Sequence, residues 1–467
     1  MSAAAGRSEA QLEPHIIERA EHPVSRRDID PNVLKVLYRL ANAGHVAYLV
    51  GGGVRDLMLG RVPKDFDVAT SAHPQEVRHL FRNSRIIGRR FRLIHVFFGP
   101  QNIEVATFRR QSEELAESPD PLIRLDNTFG TPEEDAFRRD FTVNALFYDP
   151  QTFRVIDYTG GAEDLRARLI RTIGDPELRM REDPVRMMRA VRFAAKLGFE
   201  IEPRTRSAIE RHRGDLLKSS VPRLVEETYR TLGQAEAARA LVLMEQLGLL
   251  EQVLPFLSAH LKAHAGDLES APAVRNLAAL GRSIGGGLAA GHPLILAAMF
   301  LDFCLTGAAR AAGGGFALVT ELRARGFARG DTEHMRLLIE AFDHLAAPSR
   351  RTRRLMRRPY FGEARRFFEM MAPTYQIDRT PLIRFLADPD HYFLRQPAAP
   401  QEGASPRRRR RRRRRRGRFR NRLHRPAAKG VTAAVSGPQS TGEQAPADLV
   451  SPAERENPAP IGPDRRD

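Results

Sequence analysis

The chain carries one cysteine, Cys304, in 467 residues. An intramolecular disulfide and a cysteine-based zinc site are therefore both excluded. Long apolar runs are missing as well. The longest, PLILAAMF (Pro293–Phe300), is followed by Asp302 and falls far short of the about 20 residues that cross a bilayer. It reads as a buried helix with proline in its first turn. The opening stretch MSAAAGRSEAQLEPH lacks the apolar core of a signal peptide, so a cytoplasmic protein without a membrane partner is expected. Acidic residues are in deficit: 57 Asp and Glu face 75 Lys and Arg, leaving a net charge of +18. The deficit is sharpest in residues 396–467, where 18 Lys and Arg face 7 Asp and Glu. Such a balance calls for a polyanionic partner.

Single cores stop growing at about 250–300 residues, so more than one core is expected. Residues 1–30 are polar and unpatterned and read as a mobile N-terminus. From Pro31 the helical period sets in with VLKVLYRLANAG, and Gly44 is a candidate C-cap. HVAYLVGG reads as a short buried strand, His73–Phe81 as a helix, and RIIGRRFRLIHVFFG and NIEVATF as strands joined at Gly99-Pro100. FTVNALFYD and RVIDYTGG add strand material. An α/β head over 31–160 is thus expected. Beyond Gly161 almost every segment up to about Arg395 has the helical period, which gives an all-helical continuation. The last part contains ten successive arginines, Arg407–Arg416, and an Ala/Pro/Ser/Gly-rich end; it reads as a disordered basic tail over 396–467.

Residues 51–70, GGGVRDLMLGRVPKDFDVAT, hold the densest chemistry. A Walker loop needs Gly-Lys-Ser/Thr after its glycines, and a dinucleotide fingerprint needs a glycine where Asp56 stands. Neither pattern is present. A metal-dependent nucleotidyltransferase fits. Glycines after a strand, Gly52 and Gly53, let backbone N–H groups approach phosphate oxygens, and Arg55 adds a charged fork. Asp65 and Asp67 on one strand would share a face, with Phe66 turned into the core. Two like charges on one face are held by hard cations, Mg²⁺ or Mn²⁺, and such a pair of ions serves both the attacking and the leaving oxygen. The plain alternative for this pair is a solvated strand edge.

This stretch resembles the signature of the class II nucleotidyltransferase family, which comprises bacterial poly(A) polymerases and CCA-adding enzymes. The resemblance continues through RRDFTVNALFYD (Arg138–Asp149), DYTGGAEDL (Asp157–Leu165) and EDPVRMMRAVRFAAKLGF (Glu182–Phe199), in the family's order. It implies a pol-β-like mixed sheet with helices as the head, a helical neck over 161–228 that binds nucleobase and RNA, and a helical body over 229–395. It implies ATP as substrate and RNA 3′ ends as acceptor. For the third carboxylate, the strand pattern IEVATF points to Glu104 and the family resemblance to Asp140; Asp140 is taken as catalytic with Asp65 and Asp67, and Glu104 as a supporting ligand. Arg139 is expected to face the triphosphate, and Asp140 and Asn144 the ribose 2′-hydroxyl. If EDPVRMMR is helical, Glu182, Arg186 and Arg189 share one face. Asp183 as acceptor and Arg186 as donor then match the edge of adenine, with Arg189 holding phosphate or base from below. A surface ion pair is the plain alternative.

Three features lean toward the poly(A) branch. IIGRRFRLIHVFFG lacks the His-Gly-Thr usual in CCA-adding enzymes and has His95-Val96. LLKSSVPRLVEE (Leu216–Glu227) resembles the poly(A) polymerase segment, with Val-Glu where Phe-Asp is common. The arginine tail, with Arg407, Arg410, Arg413, Arg416, Arg418 and Arg420 and interspersed Phe419, Asn421 and His424, resembles RNA-binding arginine-rich segments. The expected activity is template-independent addition of AMP from ATP to RNA 3′ ends, in mRNA polyadenylation and RNA turnover. CCA addition to tRNA is the alternative, and a non-catalytic RNA-binding protein on a transferase scaffold the remote one. A monomer is expected, with RNA-degradation machinery as a further candidate partner.

Overall fold

The computed structural model describes residues 13–88, 92–110, 129–263, 266–306 and 314–392. The head is built on strands β1 (His15–Ile17), β2 (Ala47–Val50), β3 (Asp67–Thr70), β4 (Ser84–Ile87), β5 (Leu93–Phe98), β6 (Gln101–Thr107), β7 (Leu146–Asp149) and β8 (Arg154–Asp157). They form one sheet in the order β1-β8-β7-β2-β3-β6-β5-β4. Every neighbouring pair is antiparallel except β3 and β6. A parallel pair needs a crossover; here helix α3 (Pro74–Leu80) and the β4–β5 hairpin strand supply it. Alternation sets the faces. On β6, Ile103 and Val105 are buried while Asn102 and Glu104, which alternate with them, are exposed.

Helix α1 (Pro31–Asn42) starts where the Asp30 carboxylate accepts the Asn32 amide at 2.7 Å. It buries Val33, Val36, Leu37 and Leu40 on one stripe. Helix α2 (Gly52–Met58) follows β2 directly, and α4 (Pro132–Phe137) precedes the RRDFTVN segment. After β8 come α5 (Gly161–Ala167), α6 (Pro176–Glu182), α7 (Val185–Leu197), α8 (Pro203–His212), α9 (Val221–Leu232) and α10 (Ala237–Gln246). Helix α7 packs on α9 and α10, and α6 on α8. The body continues this stack through α11 (Pro272–Gly285), α12 (His292–Leu305), α13 (Arg329–Ala346), α14 (Arg350–Leu355) and α15 (Phe361–Met371). The α12 segment is buried from Leu294 to Leu301, with Pro293 in its first turn and Cys304 buried near its end.

Four expectations change. Residues 13–30 are not a loose leader: β1 pairs with β8 as His15↔Asp157 to Ile17↔Val155, and Ile17, Val24 and Ile29 are buried. Three apolar side chains spaced through a polar stretch were enough to anchor it. The helical region includes a short parallel ribbon, β9 (Leu169–Ile170) beside β10 (Glu200–Ile201). EDPVRMMR is not one helix, because Pro184 excludes Asp183 from helical geometry (φ −141°, ψ 89°) and separates α6 from α7. The core, finally, does not divide between head and body. One cluster runs from Ile17 and Val68 through Met187 and Leu241 to Phe385, and a smaller one, with Val50, Phe108 and Phe147, lies on the other face of the sheet. The arginines from Arg407 to Arg420, with Phe419, Asn421 and His424, lie outside the described residues.

Candidate active site

Gly51 joins β2 to α2 with φ +71° and ψ −135°, a backbone state that an L side chain rarely tolerates. A Cβ there would stand 3.2 Å from Arg139 Nη1 and 3.8 Å from Asp67 Oδ2. The turn is thus the point where the glycine motif, the second aspartate and the RRD motif meet. Gly53 contributes differently: its Cα faces Phe66 and the Asp65 carbonyl, which a Cβ would meet at 3.4 and 3.5 Å. Close packing at Gly53 presses the segment bearing the two acids against the glycine turn.

Asp65 precedes β3 and Asp67 opens it, so the pair sits at a strand mouth rather than inside a strand; Phe66 is half-buried against the core. In the parallel register Asp67 stands beside Glu104 of β6. Both carboxylates reach solvent. Even so, the protein packed around Asp67 raises its carboxyl above the usual range; the charges of Glu104 and Asp65 add to this and Arg139 opposes it. Glu104 in turn lies 3.6 Å from His95 Nε2 across the β5–β6 pair. The donor set is hard oxygen whose mutual repulsion Arg139 only partly offsets, which suits a divalent cation. Among the described residues no group of three His, Cys, Asp or Glu side chains closes on a single point fit for a metal ion, so other oxygens must complete such a site.

Asp140 has different company. Arg189 Nε and Nη2 donate to its Oδ2 at 2.8 and 2.5 Å, and Asn144 Nδ2 and the Phe141 amide donate to its Oδ1 at 3.2 and 2.8 Å. Burial alone would raise this carboxyl; Arg189 and the other donors outweigh it and hold it below the usual range. The acid in register with Asp67 is Glu104, whereas Asp140 organises Arg189 and Asn144. Arg55 is likewise engaged: Nε donates to Asp56 at 2.8 Å and Nη1 to Asn144 Oδ1 at 2.6 Å, and the residue is 2% exposed. Buried in this way, it braces Asn144 instead of offering a free fork.

Arg139 lies on the open side. Its Nη2 donates to Asp135 Oδ2 at 2.9 Å and its Nη1 to the Asn144 carbonyl at 3.2 Å. Asp135, which sequence reading passed over, is buried between two cations. Burial would raise it, yet Arg139 and Arg138 hold it below the usual range. Its spacing of three and four residues from Arg138 and Arg139 was the available signal. Arg179 of α6, also missed, ties the neck to this turn by donating to the Arg138 and Arg139 carbonyls at 2.8 and 2.7 Å.

The other motifs hold the site in place. Asp157 accepts four amides, from Thr159, Gly160, Gly161 and Ala162, at 2.8–3.0 Å. Gly161 lies so close to Thr142 that a Cβ would sit 2.2 Å from its carbonyl oxygen, and Thr142 Oγ1 donates to Asp164 Oδ2 at 2.6 Å. DYTGGAEDL is therefore the seat of RRDFTVN. At the head of α7, Asp183 Oδ2 accepts from Arg223 Nη2 at 2.9 Å, and its Oδ1 is buried with no partner among the described residues. Arg186 Nη1 donates to the Arg179 carbonyl at 3.0 Å. Buried Glu227 receives Arg192 at 2.6 Å and joins α7 to α9.

Known proteins carry the same plan. Residues 47–171 match the model of the poly A polymerase head domain, and residues 198–261 that of a probable RNA and SrmB-binding site of polymerase A. Poly(A) polymerase I of Salmonella typhi is 50% identical over 262 residues, 54% of this chain and 56% of that protein. A CCA-adding enzyme of Bacillus velezensis is 41% identical over 227 residues, 49% of this chain and 56% of its own. The chain thus spans about half the length of the curated relatives it matches. The crystal structure of the Bacillus stearothermophilus CCA-adding enzyme in complex with CTP superposes with a TM-score of 0.58 at 29% identity, over 80% of this chain and 90% of that one. Motif order, mixed-sheet head, helical body and these matches agree in one likeness: residues 47–171 match a poly A polymerase head domain, and over about half its length the chain is similar to both poly(A) polymerases and CCA-adding enzymes.

Proposed function

We propose that the protein is a template-independent poly(A) polymerase, which adds AMP from ATP to RNA 3′ ends and releases pyrophosphate. The observation that carries this reading is the acid pair Asp65 and Asp67, with Glu104 in register, packed by Gly51 and Gly53 against Arg139. The higher identity to poly(A) polymerase I than to the CCA-adding enzyme and the arginine-rich residues 407–420 favour the adenylating branch. CCA addition is the second reading, favoured by the superposition on a CCA-adding enzyme.

Asp65 and Asp67, with Glu104, are the residues that would hold Mg²⁺ or Mn²⁺. Such ions would neutralise the triphosphate and acidify the RNA 3′-hydroxyl. The chain's own contribution is positioning. Gly51 to Gly53 admit the phosphates closely, and Arg139, steadied by Asp135, draws them by charge. Asp140 and Asn144, locked by Arg189 and Arg55, present polar atoms to the ribose. Asp183 Oδ1, without a partner among the described residues, accepts from the adenine amino group while Arg186 donates to the ring nitrogen. Attack on the α-phosphate is then a displacement in line, with no covalent enzyme intermediate.

The test is purified protein with Mg²⁺ and a 5′-labelled RNA lacking tRNA structure, given ATP, CTP, GTP or UTP singly. A long ladder with ATP alone is expected, and Asp65→Asn or Asp67→Asn should lower transfer by about a thousandfold or more with RNA affinity retained. Two C and one A on a truncated tRNA, with no ladder, would assign the protein to the CCA branch. Transfer by either variant at the parent's rate would remove the acid pair from the chemistry.

A further inference from the structure

The segment after α13 reads SRRTRRLMRRPY (Ser349–Tyr360), with six arginines and no acid. It forms α14, which packs on α13 through buried Thr352 and Leu355. Ser349 caps the helix, its hydroxyl accepting the Arg351 amide at 3.2 Å. With Thr352 and Leu355 turned inward, the arginines are turned outward, and all six are exposed. Arg353 pairs with Asp390. Arg350, Arg351, Arg354, Arg357 and Arg358 have no ion-pair partner among the described residues. Five unneutralised guanidiniums on one short surface repel one another; a fold keeps such an arrangement at a cost unless a polyanion lies across it.

A second observation adjoins the first. Directly after Arg358 the chain turns, the Phe361 amide donating to the Arg358 carbonyl at 3.0 Å. Pro359 and Tyr360 then form part of the lining of an open cavity of about 850 Å³, together with His334, Met370 and Arg366. The His334 and Tyr360 rings meet edge-on at 6.1 Å, and His334 Nε2 lies 2.9 Å from Glu363 Oε2. A half-buried aromatic ring with flanking donors and an acceptor is what an unstacked base needs.

We propose that this face of the body is a single-stranded RNA site. Arg350, Arg351, Arg354, Arg357 and Arg358 hold the phosphodiester backbone, and the Tyr360 cavity takes a base. The site lies outside residues 198–261, the segment matched as RNA-binding, and it serves the RNA substrate of the activity proposed above, on which it rests. An acidic polypeptide is the competing occupant; the cavity beside the arginines, with its ring and polar edge, favours RNA.

The experiment measures binding of the full chain to a 5′-fluorescein single-stranded oligoribonucleotide of about 20 nucleotides, without ATP, across a salt series. R354A/R357A/R358A removes exposed side chains and should leave the melting temperature unchanged. It should weaken binding about tenfold or more at low salt and make the log–log salt slope shallower by about 2, at about 0.7 per phosphate. Lysine at the same three positions should restore most of the slope. Y360A should weaken binding about fivefold or more through lost stacking, and 4-thiouridine RNA should crosslink to the peptide containing Tyr360. Unchanged affinity and slope in the triple variant overturn the proposal, as does a triple variant that loses only polyglutamate binding. Crosslinks confined to other peptides overturn the base cavity. If the parent adds no AMP yet the triple variant binds RNA less well, the polymerase reading fails and this site stands; if AMP is added and binding is unmoved, only this site fails.

Discussion

Gly51 shows how little room the site has. Its left-handed backbone and the 3.2 Å approach of Arg139 Nη1 to a built Cβ make two separate demands for glycine. Gly51→Ala should cost about 1–2 kcal/mol of stability, read by urea unfolding, and should lower kcat more than that loss explains, because Arg139 must shift. Asp140 makes a pH-dependent contribution. Its folded-state carboxyl titrates below the ordinary value of about 3.9. Its ion pair with Arg189 is therefore fully stabilising above that value and is lost as pH falls through the folded one. Parent and Asp140→Asn should differ by a constant unfolding free energy from about pH 6 to 8 and converge below about pH 4. A constant gap down to pH 3 would place the effect in packing instead of charge. At this scale the sequence revealed which residues gather, through motif and spacing, but not which hydrogen bonds each would spend. Asp140 and Glu104 were both visible as acids. Only the parallel register, fixed by a crossover some thirty residues long, puts Glu104 beside Asp67. Arg55 was legible as a cation beside Asp56, and its burial against Asn144 was not, since that partner is brought in only by tertiary packing.

Among the elements, the turn from β8 into α5 bears the most. Asp157 alone receives four backbone amides, and it fixes Gly161 against the Thr142 carbonyl. Asp157→Ala leaves those amides without their acceptor and should cost at least about 2–3 kcal/mol. Differential scanning calorimetry should register a fall of several degrees, and transfer should drop with it as RRDFTVN loses its seat; an unaltered melting temperature would refute this role. Periodicity alone located α1, α3, β2 and the β5–β6 hairpin, because each has a buried stripe or alternation of its own. It failed at EDPVRMMR, where Pro184 overrules an otherwise helical pattern, and at β1, whose three residues gain their strand form from the exposed edge of β8. Short elements that borrow their stability from a neighbour leave no period to read.

Across the whole molecule, one apolar cluster passes from the sheet through α7 and α10 into the last body helices. Parts that share a core of this extent melt together. Calorimetry on the protein should therefore give a single transition for residues 13–392, with calorimetric and van't Hoff enthalpies in agreement, and two resolved peaks would contradict this. The length of the chain alone suggested several cores; it carried no sign that the neck helices would weld them. For the poly(A) polymerase proposed above, a shared core has a consequence. A core continuous from the sheet to the last body helices favours motion as one piece, which leaves little stroke with which to haul a lengthening product. On that proposal it is the RNA that must let go after each addition, slide by one nucleotide and be caught again, so loose and repeated grip along the strand becomes a working part of the machine.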